Sequence, residues 1–141
     1  MATTAQMAMT TVLIGEGRGK RSGRRIVATQ PQLNVEVSFE DLTNLGGADG
    51  VNIGTYQSTT KPDGSIDGHG QGVFATLDGQ TVTWQAIGVG RFAEGGAVRY
   101  RGSISYTTTS AKLAHLNSVA GVFEFDVDRD GNTHTKLFDW K

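Results

Sequence analysis

The 141-residue chain contains no cysteine, which excludes disulfide staples, thiolate zinc sites, iron–sulfur clusters and thiol catalysis, and fits a reducing cytoplasm. It needs no staple, since a chain of this length buries the larger part of its unfolded surface in a single domain. Charge of one sign is also lacking. With 13 lysines and arginines against 14 acids the net charge is −1, so no global field favours nucleic acid or an anionic lipid surface. Long apolar runs are missing too. Val12-Leu13-Ile14 is too short to enter a bilayer, and the opening residues lack the basic flank and apolar stretch of a secretory signal. What is plentiful is glycine, with 20 residues, and five Asp-Gly pairs punctuate the chain. The expectation is one soluble, cytoplasmic domain over residues 1–141, its first ten residues or so a flexible lead, with no nucleic-acid or membrane partner, no cofactor and no metal.

Periodicity of two dominates the rest. Val35, Val37 and Phe39 alternate with Glu36, Ser38 and Glu40, which buries one face of a strand and wets the other. Segments 71–77 and 80–89 flank Asp78-Gly79, a hairpin signal because both residues tolerate positive φ, and Trp84 falls on one face with Val82 and Ala86. Val98, Tyr100, Ile104 and Tyr106 define a long strand in which Gly102 permits a bend. Segment 121–128 forms a strand, 129–132 a turn and 133–140 a closing strand. The one helical piece is Ser110 to Leu116, where Leu113 and Leu116 share a face. These features predict an all-β, single antiparallel β-barrel or β-sandwich of at least six strands with one short helical turn. Pro31 and Pro62 fall outside the strands.

Several motifs fail on spacing. The run Gly15 to Ser22 offers no Walker loop, because Ile14 and Arg21 stand where glycine and Ser or Thr belong, and Gly68, Gly70, Gly72, Gly88 and Gly90 open no helix that could bind a dinucleotide. Alternate glycines in a strand suit barrel curvature, close sheet approach or a ligand cavity. The cations Arg18, Lys20, Arg21, Arg24 and Arg25 could grip phosphate, yet lack interleaved aromatics and read equally as a solvated loop between edge strands. His69, His115 and His134 are scattered, and no Gly-x-Ser-x-Gly elbow occurs.

The run Asp126-Val127-Asp128-Arg129-Asp130-Gly131-Asn132 carries the most chemistry. In strand phase Glu124, Asp126 and Asp128 share a polar face on which Arg99 and Arg101 are natural cross-strand partners, each exposed pair contributing about 0.2–1 kcal/mol. As a calcium loop the run supplies ligands at the first, third and fifth positions, but Leu137 stands where a bidentate glutamate belongs and no helices flank it.

A set of strings resembles a family of small uncharacterised prokaryotic proteins of β-barrel or β-sandwich fold. They are Gly54-Thr55-Tyr56, Pro62-Asp63-Gly64, the GHGQG run from Gly68 to Gly72, Thr83-Trp84 through Gly88-Val89-Gly90-Arg91, Tyr100-Arg101-Gly102, Lys112-Leu113-Ala114, Phe123-Glu124, Val127-Asp128, Gly131-Asn132 and Trp140-Lys141. The resemblance covers most of the chain and extends to a self-cleaving, aspartic-peptidase-like member in which a lysine becomes joined to the aspartate at the cleavage point. It implies Asp130–Gly131 as the cleaved bond and Lys112 as the lysine, with the 11 residues Gly131 to Lys141 released. Chemically, the Asp130 carboxyl attacks its own carbonyl to form an anhydride and expels the Gly131 amine; water then gives cleavage, or Lys112 an isopeptide, with Asp128 or Asp126 moving protons. Lys112 would have to lose its proton near neutrality, far below its reference pKa of about 10.4. In a simple strand pair it would also lie on the order of 20 Å or more from Asp130, at about 3.3 Å per residue, so the link requires another strand arrangement, a connection from Leu113 to Ala120 that doubles back along the sheet, or a second subunit of a homo-oligomer.

The competing reading is non-enzymatic. A barrel of lipocalin or allene-oxide-cyclase-like shape would bind a small apolar ligand in a cavity lined by Trp84, Phe92 and Tyr100.

Overall fold

A computed structural model describes residues 9–141, so most of the expected flexible lead lies outside the described residues. Eight strands follow one another in sequence order: β1 (Thr11–Ala28), β2 (Asn34–Leu45), β3 (Ala48–Thr60), β4 (Ile66–Thr76), β5 (Thr81–Phe92), β6 (Val98–Thr107), β7 (Gly121–Val127) and β8 (Asn132–Trp140). Each pairs antiparallel with the next, and β8 returns to pair with β1 from Lys20↔Asn132 to Thr11↔Trp140, closing the sheet into a barrel. Of the two expected architectures the barrel is therefore the one formed. An interior of eight strands is just wide enough to be filled by side chains. The inward phase of β2 carries Val37, Phe39 and Leu45, that of β5 carries Val82 and Trp84, and that of β7 carries Phe125 and Val127, all buried.

Two local expectations are corrected. The basic segment is not a loop between edge strands, because Arg18 to Arg25 lie within β1, hydrogen-bonded to β2 along its length, and a closed barrel has no edges. Its glycines have a packing role: Gly15, Gly17 and Gly19 turn toward the interior, and a Cβ on any of them would collide with atoms of β2. The helical piece is a 3₁₀ turn, Ala114–Ser118, beneath which Leu113 and Leu116 plug one end of the barrel, and a second short turn, Glu94–Gly96, joins β5 to β6. Among the described residues no helix is long and apolar enough to cross a membrane.

The Asp-Gly pairs divide into two groups. Asp49-Gly50 and Asp67-Gly68 lie inside β3 and β4, so they are not punctuation. The other three build one turn three times over. In segments 61–65, 76–80 and 128–132 the first residue's N–H donates to the fifth residue's carbonyl (2.8, 2.8 and 3.0 Å), and the fourth residue's N–H donates back to the first (2.9, 3.1 and 3.0 Å). The fourth residue is Gly64, Gly79 or Gly131, with φ of 87°, 87° and 84°. Only the glycine takes positive φ; the aspartate before it does not, contrary to the expectation for Asp78. The form is a three-residue hairpin loop whose last position is left-handed.

Candidate functional site

The carboxylates expected to act together are separately engaged. Asp126, on the outer face of β7, receives Arg101 Nη1 at 2.7 Å. Asp128 organises the β7–β8 turn: Oδ1 accepts the N–H groups of Asp130 and Asn132 at 2.9 Å each, and Oδ2 accepts Asn132 Nδ2 at 2.9 Å. These bonds, the Asn132 side chain foremost, hold the Asp128 carboxyl below the usual carboxylate range, which is the reverse of a proton-shuttling acid. Asp130 is exposed, and among the described residues its carboxyl meets only Arg129 Nε, at 3.9 Å. Lys112 lies at the opposite end of the barrel, where its ammonium pairs with Asp78 at 3.3 Å in the β4–β5 turn. The structure does not bring Lys112 and Asp130 together; the ten-residue strand β6 alone spans roughly 30 Å at 3.3 Å per residue.

Of the three residues expected to line a cavity, Trp84 and Tyr100 do so. Phe92 does not: it shares the inward phase of Val82 and Trp84 but is the last residue of β5, beyond the filled interior, and is 65% exposed. The interior holds an aromatic cluster in which Phe39 and Phe125 lie 4.9 Å apart between ring centres, Tyr56 and Tyr100 5.5 Å, and Tyr56 and Phe125 5.6 Å. Glycines make room for the largest rings. A Cβ on Gly54 would stand 2.6 Å from Trp84 Cζ2, and one on Gly90 would stand 2.6 Å from Tyr100 Cε1. The polar ends of both rings are met, Trp84 Nε1 donating to Asn52 Oδ1 at 2.8 Å and Tyr100 Oη bonding Ser58 Oγ at 2.6 Å. Burial pushes the phenols of Tyr56 and Tyr106 far above their ordinary value, so both remain neutral.

Beside this cluster is a polar region that reading strands from sequence misses. Asp41 is 4% exposed on the inward face of β2. Its Oδ1 is in direct hydrogen-bond contact with Thr43 Oγ1, whereas Oδ2, also buried, has no partner at ordinary hydrogen-bond geometry. Desolvation raises the carboxyl above its usual range, partly opposed by Thr43 and by the nearby Asn52 amide. β1 is what lets this happen: Gly19 sits in register between Asp41 and Thr133, and Gly17 between Thr43 and Thr135, so no β1 side chain separates β2 from β8. The hydroxyls of Thr133 and Thr135 are likewise buried without partners. The signal was in the sequence. Val37, Phe39, Asp41, Thr43 and Leu45 are in one phase, so continuing the strand past Glu40 puts a carboxyl on the buried face.

Between the rings and the polar region is a cavity of about 80 Å³, lined by Phe39, Thr43, Asn52, Trp84, Tyr106 and Thr135 among others. Two of its polar lining atoms, Tyr106 Oη and Thr135 Oγ1, are buried with no hydrogen-bond partner among the described residues.

No family model and no curated protein matches the chain. Solved structures do. A conserved protein of unknown function from Rhodopseudomonas palustris is 11% identical with a TM-score of 0.81, over 95% of this chain and 99% of that one. A β-barrel-like protein from Acinetobacter baumannii is 10% identical with a TM-score of 0.81, over 99% of this chain and 100% of its own. An enzyme from Penicillium herquei is 15% identical with a TM-score of 0.69, over 98% of this chain and 100% of its own. The likeness is one of fold. Identities this low carry the closed barrel from protein to protein and leave function to the side chains inside it.

Proposed function

We propose that the barrel is a small-molecule-binding protein whose ligand occupies the interior between Trp84, Tyr106 and the Thr43–Thr135 pair. The observation that carries this reading is the pair of buried hydroxyls without partners among the described residues, Tyr106 Oη and Thr135 Oγ1, on the wall of a largely apolar cavity. Buried polar groups in folded proteins have partners, and leaving one without costs about 1–3 kcal/mol, so these groups are suited to a guest with one hydrogen-bonding function on an apolar body. A volume of about 80 Å³, far below the roughly 300–1,000 Å³ of drug-sized pockets, limits that guest to a compact molecule. The test is titration of ¹⁵N-labelled protein with xenon and with acetone, following the indole N–H of Trp84. Saturable shifts at Trp84 that spare the exposed indole of Trp140 are expected; unmoved resonances up to the solubility limit of both probes would overturn the reading.

One observation favours a second reading, cleavage at Asp130–Gly131. Of the three aspartates in equivalent turns, Asp63 accepts hydrogen bonds from Ser65 and Asp78 from Thr76, whereas among the described residues Asp130 has only the 3.9 Å contact with Arg129. Its carboxyl is thus the least restrained from turning on its own carbonyl. The carboxyl oxygen would bond to that carbon, the bond to the Gly131 nitrogen would break with the acid proton passing to the amine, and water would open the anhydride to two carboxyls. Lys112 takes no part within one chain. Intact mass on aged protein checks this: a fragment beginning at Gly131, without equivalent fragments at Gly64 or Gly79, supports it, and an unchanged mass over weeks at pH 4 and pH 7 rejects it.

A further inference from the structure

Resting on the interior-binding reading, we infer that Asp41 selects the ligand by setting which way the Thr43 hydroxyl points, and that the neutral acid fits the cavity for a compact molecule carrying a carbonyl oxygen. Thr43 lines the cavity and Asp41 does not, so the carboxyl acts on the guest through Thr43 and is a positioning residue. A hydroxyl has one proton to give and two lone pairs to accept with. An ionised Asp41 can only accept, so its contact with Thr43 consumes that one proton and leaves lone pairs facing the cavity. A neutral Asp41 donates to Thr43 Oγ1 instead, and the threonine proton is released toward the guest. The cavity then presents a donor, which suits an acceptor-only group such as a ketone or aldehyde oxygen.

The surroundings favour the neutral acid, and among the described residues those facing Asp41 from the neighbouring strands are uncharged. β1 presents Gly17 and Gly19, β3 presents Gly50 and Asn52, and β8 presents Thr133 and Thr135. No cation is among them; Arg21, two residues beyond Gly19 on β1 and paired with Phe39, places its charge near Tyr56, and His69, at the cavity, is exposed in the outward phase of β4. The charged neighbours in sequence, Glu40 on β2, Arg18 and Lys20 on β1, and His134 and Lys136 on β8, take the opposite phase, and His134 bonds Glu16 on the outer face at 2.5 Å. Elsewhere in the interior Tyr56 and Tyr106 stay neutral, and Asp139, near Tyr106, pairs with Lys141 at 3.0 Å. With Oδ2 also unpartnered, nothing holds Asp41 in its charged form but Thr43 and the Asn52 amide.

The experiment compares acetone with isobutene, which replaces the carbonyl oxygen by a methylene of similar size, using the Trp84 indole shift across pH 4 to 8. Acetone should bind about threefold or more tightly at the acidic end than at pH 8, the scale of one net hydrogen bond, while isobutene should show no pH dependence. Asp41→Asn should flatten the acetone profile, and Thr43→Val should erase the preference for acetone over isobutene. Thr43→Ser, which keeps the hydroxyl, should restore that preference and also guards against a folding defect in the valine variant. Binding of both probes with equal affinity at every pH would overturn the role of Asp41 and leave interior binding standing. An acetone profile that persists in Asp41→Asn would do the same. Failure of both probes to bind wild type would overturn both.

Discussion

Trp84 Nε1 donates to Asn52 Oδ1 at 2.8 Å, a bond that runs inside the barrel from β5 to β3 and passes over the backbone of β4. It exists because Gly72, the β4 residue paired with Trp84, and Gly54, the β3 residue paired with Gly72, have no side chains to obstruct the indole. The same bond fixes the Asn52 amide, with its oxygen given to Trp84 and its nitrogen left toward Asp41. A large ring is thereby anchored beside the polar region, and cavity and carboxyl become parts of one interior site.

Removing the acceptor should cost more than removing both partners. Asn52→Leu leaves the indole N–H buried and unpaired, with an expected loss of about 1–3 kcal/mol in urea unfolding. Trp84→Phe in the Asn52→Leu background removes the orphaned donor and should make the asparagine substitution less costly than it is with tryptophan present. A double-mutant cycle measures this difference, and strict additivity would show that the bond contributes nothing.

Glycines of one chemical kind should separate sharply by place. A Cβ on Gly72 would overlap the Trp84 ring and the Ile53 carbonyl, so Gly72→Ala is expected to lose about 1–3 kcal/mol through overpacking. Gly23, in the bulged part of β1, has nothing within 4 Å of its Cβ direction and no positive φ. Gly23→Ala should stay within about 0.5 kcal/mol of wild type. Thermal or urea unfolding of the two variants decides, and equal effects would contradict this account of the interior.

The repeated turn gives a third prediction. Gly64, Gly79 and Gly131 occupy the same left-handed position, so alanine at each should cost about 1–2 kcal/mol, the penalty for an L side chain there. Gly64 and Gly79 face open space, whereas a Cβ on Gly131 would come within 3.3 Å of the Arg21 side chain, so Gly131→Ala should be the costliest. Three denaturation curves test the ranking.

Much of the barrel was legible because period two survives wherever a strand is wet on one face, as in Val35 to Glu40 and Val98 to Tyr106. β1 was not. Its inward phase is Gly15, Gly17 and Gly19, so it shows cations alternating with glycine and no apolar face, and the reason lies in β2 and β8, which occupy the space that the glycines leave. Site residues failed for a related reason. Asp130 draws attention because Asp-Gly is chemically fragile, yet the same dipeptide serves here as turn geometry three times. Asp41 looks like an ordinary exposed acid until the strand is carried past Glu40, and its partners Asn52, Thr133 and Thr135 come from strands distant in sequence. Trp84 and Tyr100 were legible as interior rings; Phe92 was not separable from them, because it keeps the inward phase of Trp84 and is exposed only through standing at the last position of β5.

The buried acid also makes a prediction about stability whose sign can be worked out. Desolvation raises the folded-state pKa of Asp41 above its value in the unfolded chain, about 3.9, so between these two values the folded state binds more protons than the unfolded state. Stability contributed by this site therefore declines as pH rises through that window and stays low above the folded pKa. Asparagine has the same shape and no titration, so Asp41→Asn should stabilise the protein at pH 7 relative to wild type, and the gain should shrink as pH falls toward the unfolded value. Urea unfolding of both proteins at pH 4, 5.5 and 7 measures it. A gain independent of pH would mean that ionisation of Asp41 is not the source, and a loss at pH 7 would mean that the charged form is held by interactions stronger than those from Thr43 and Asn52.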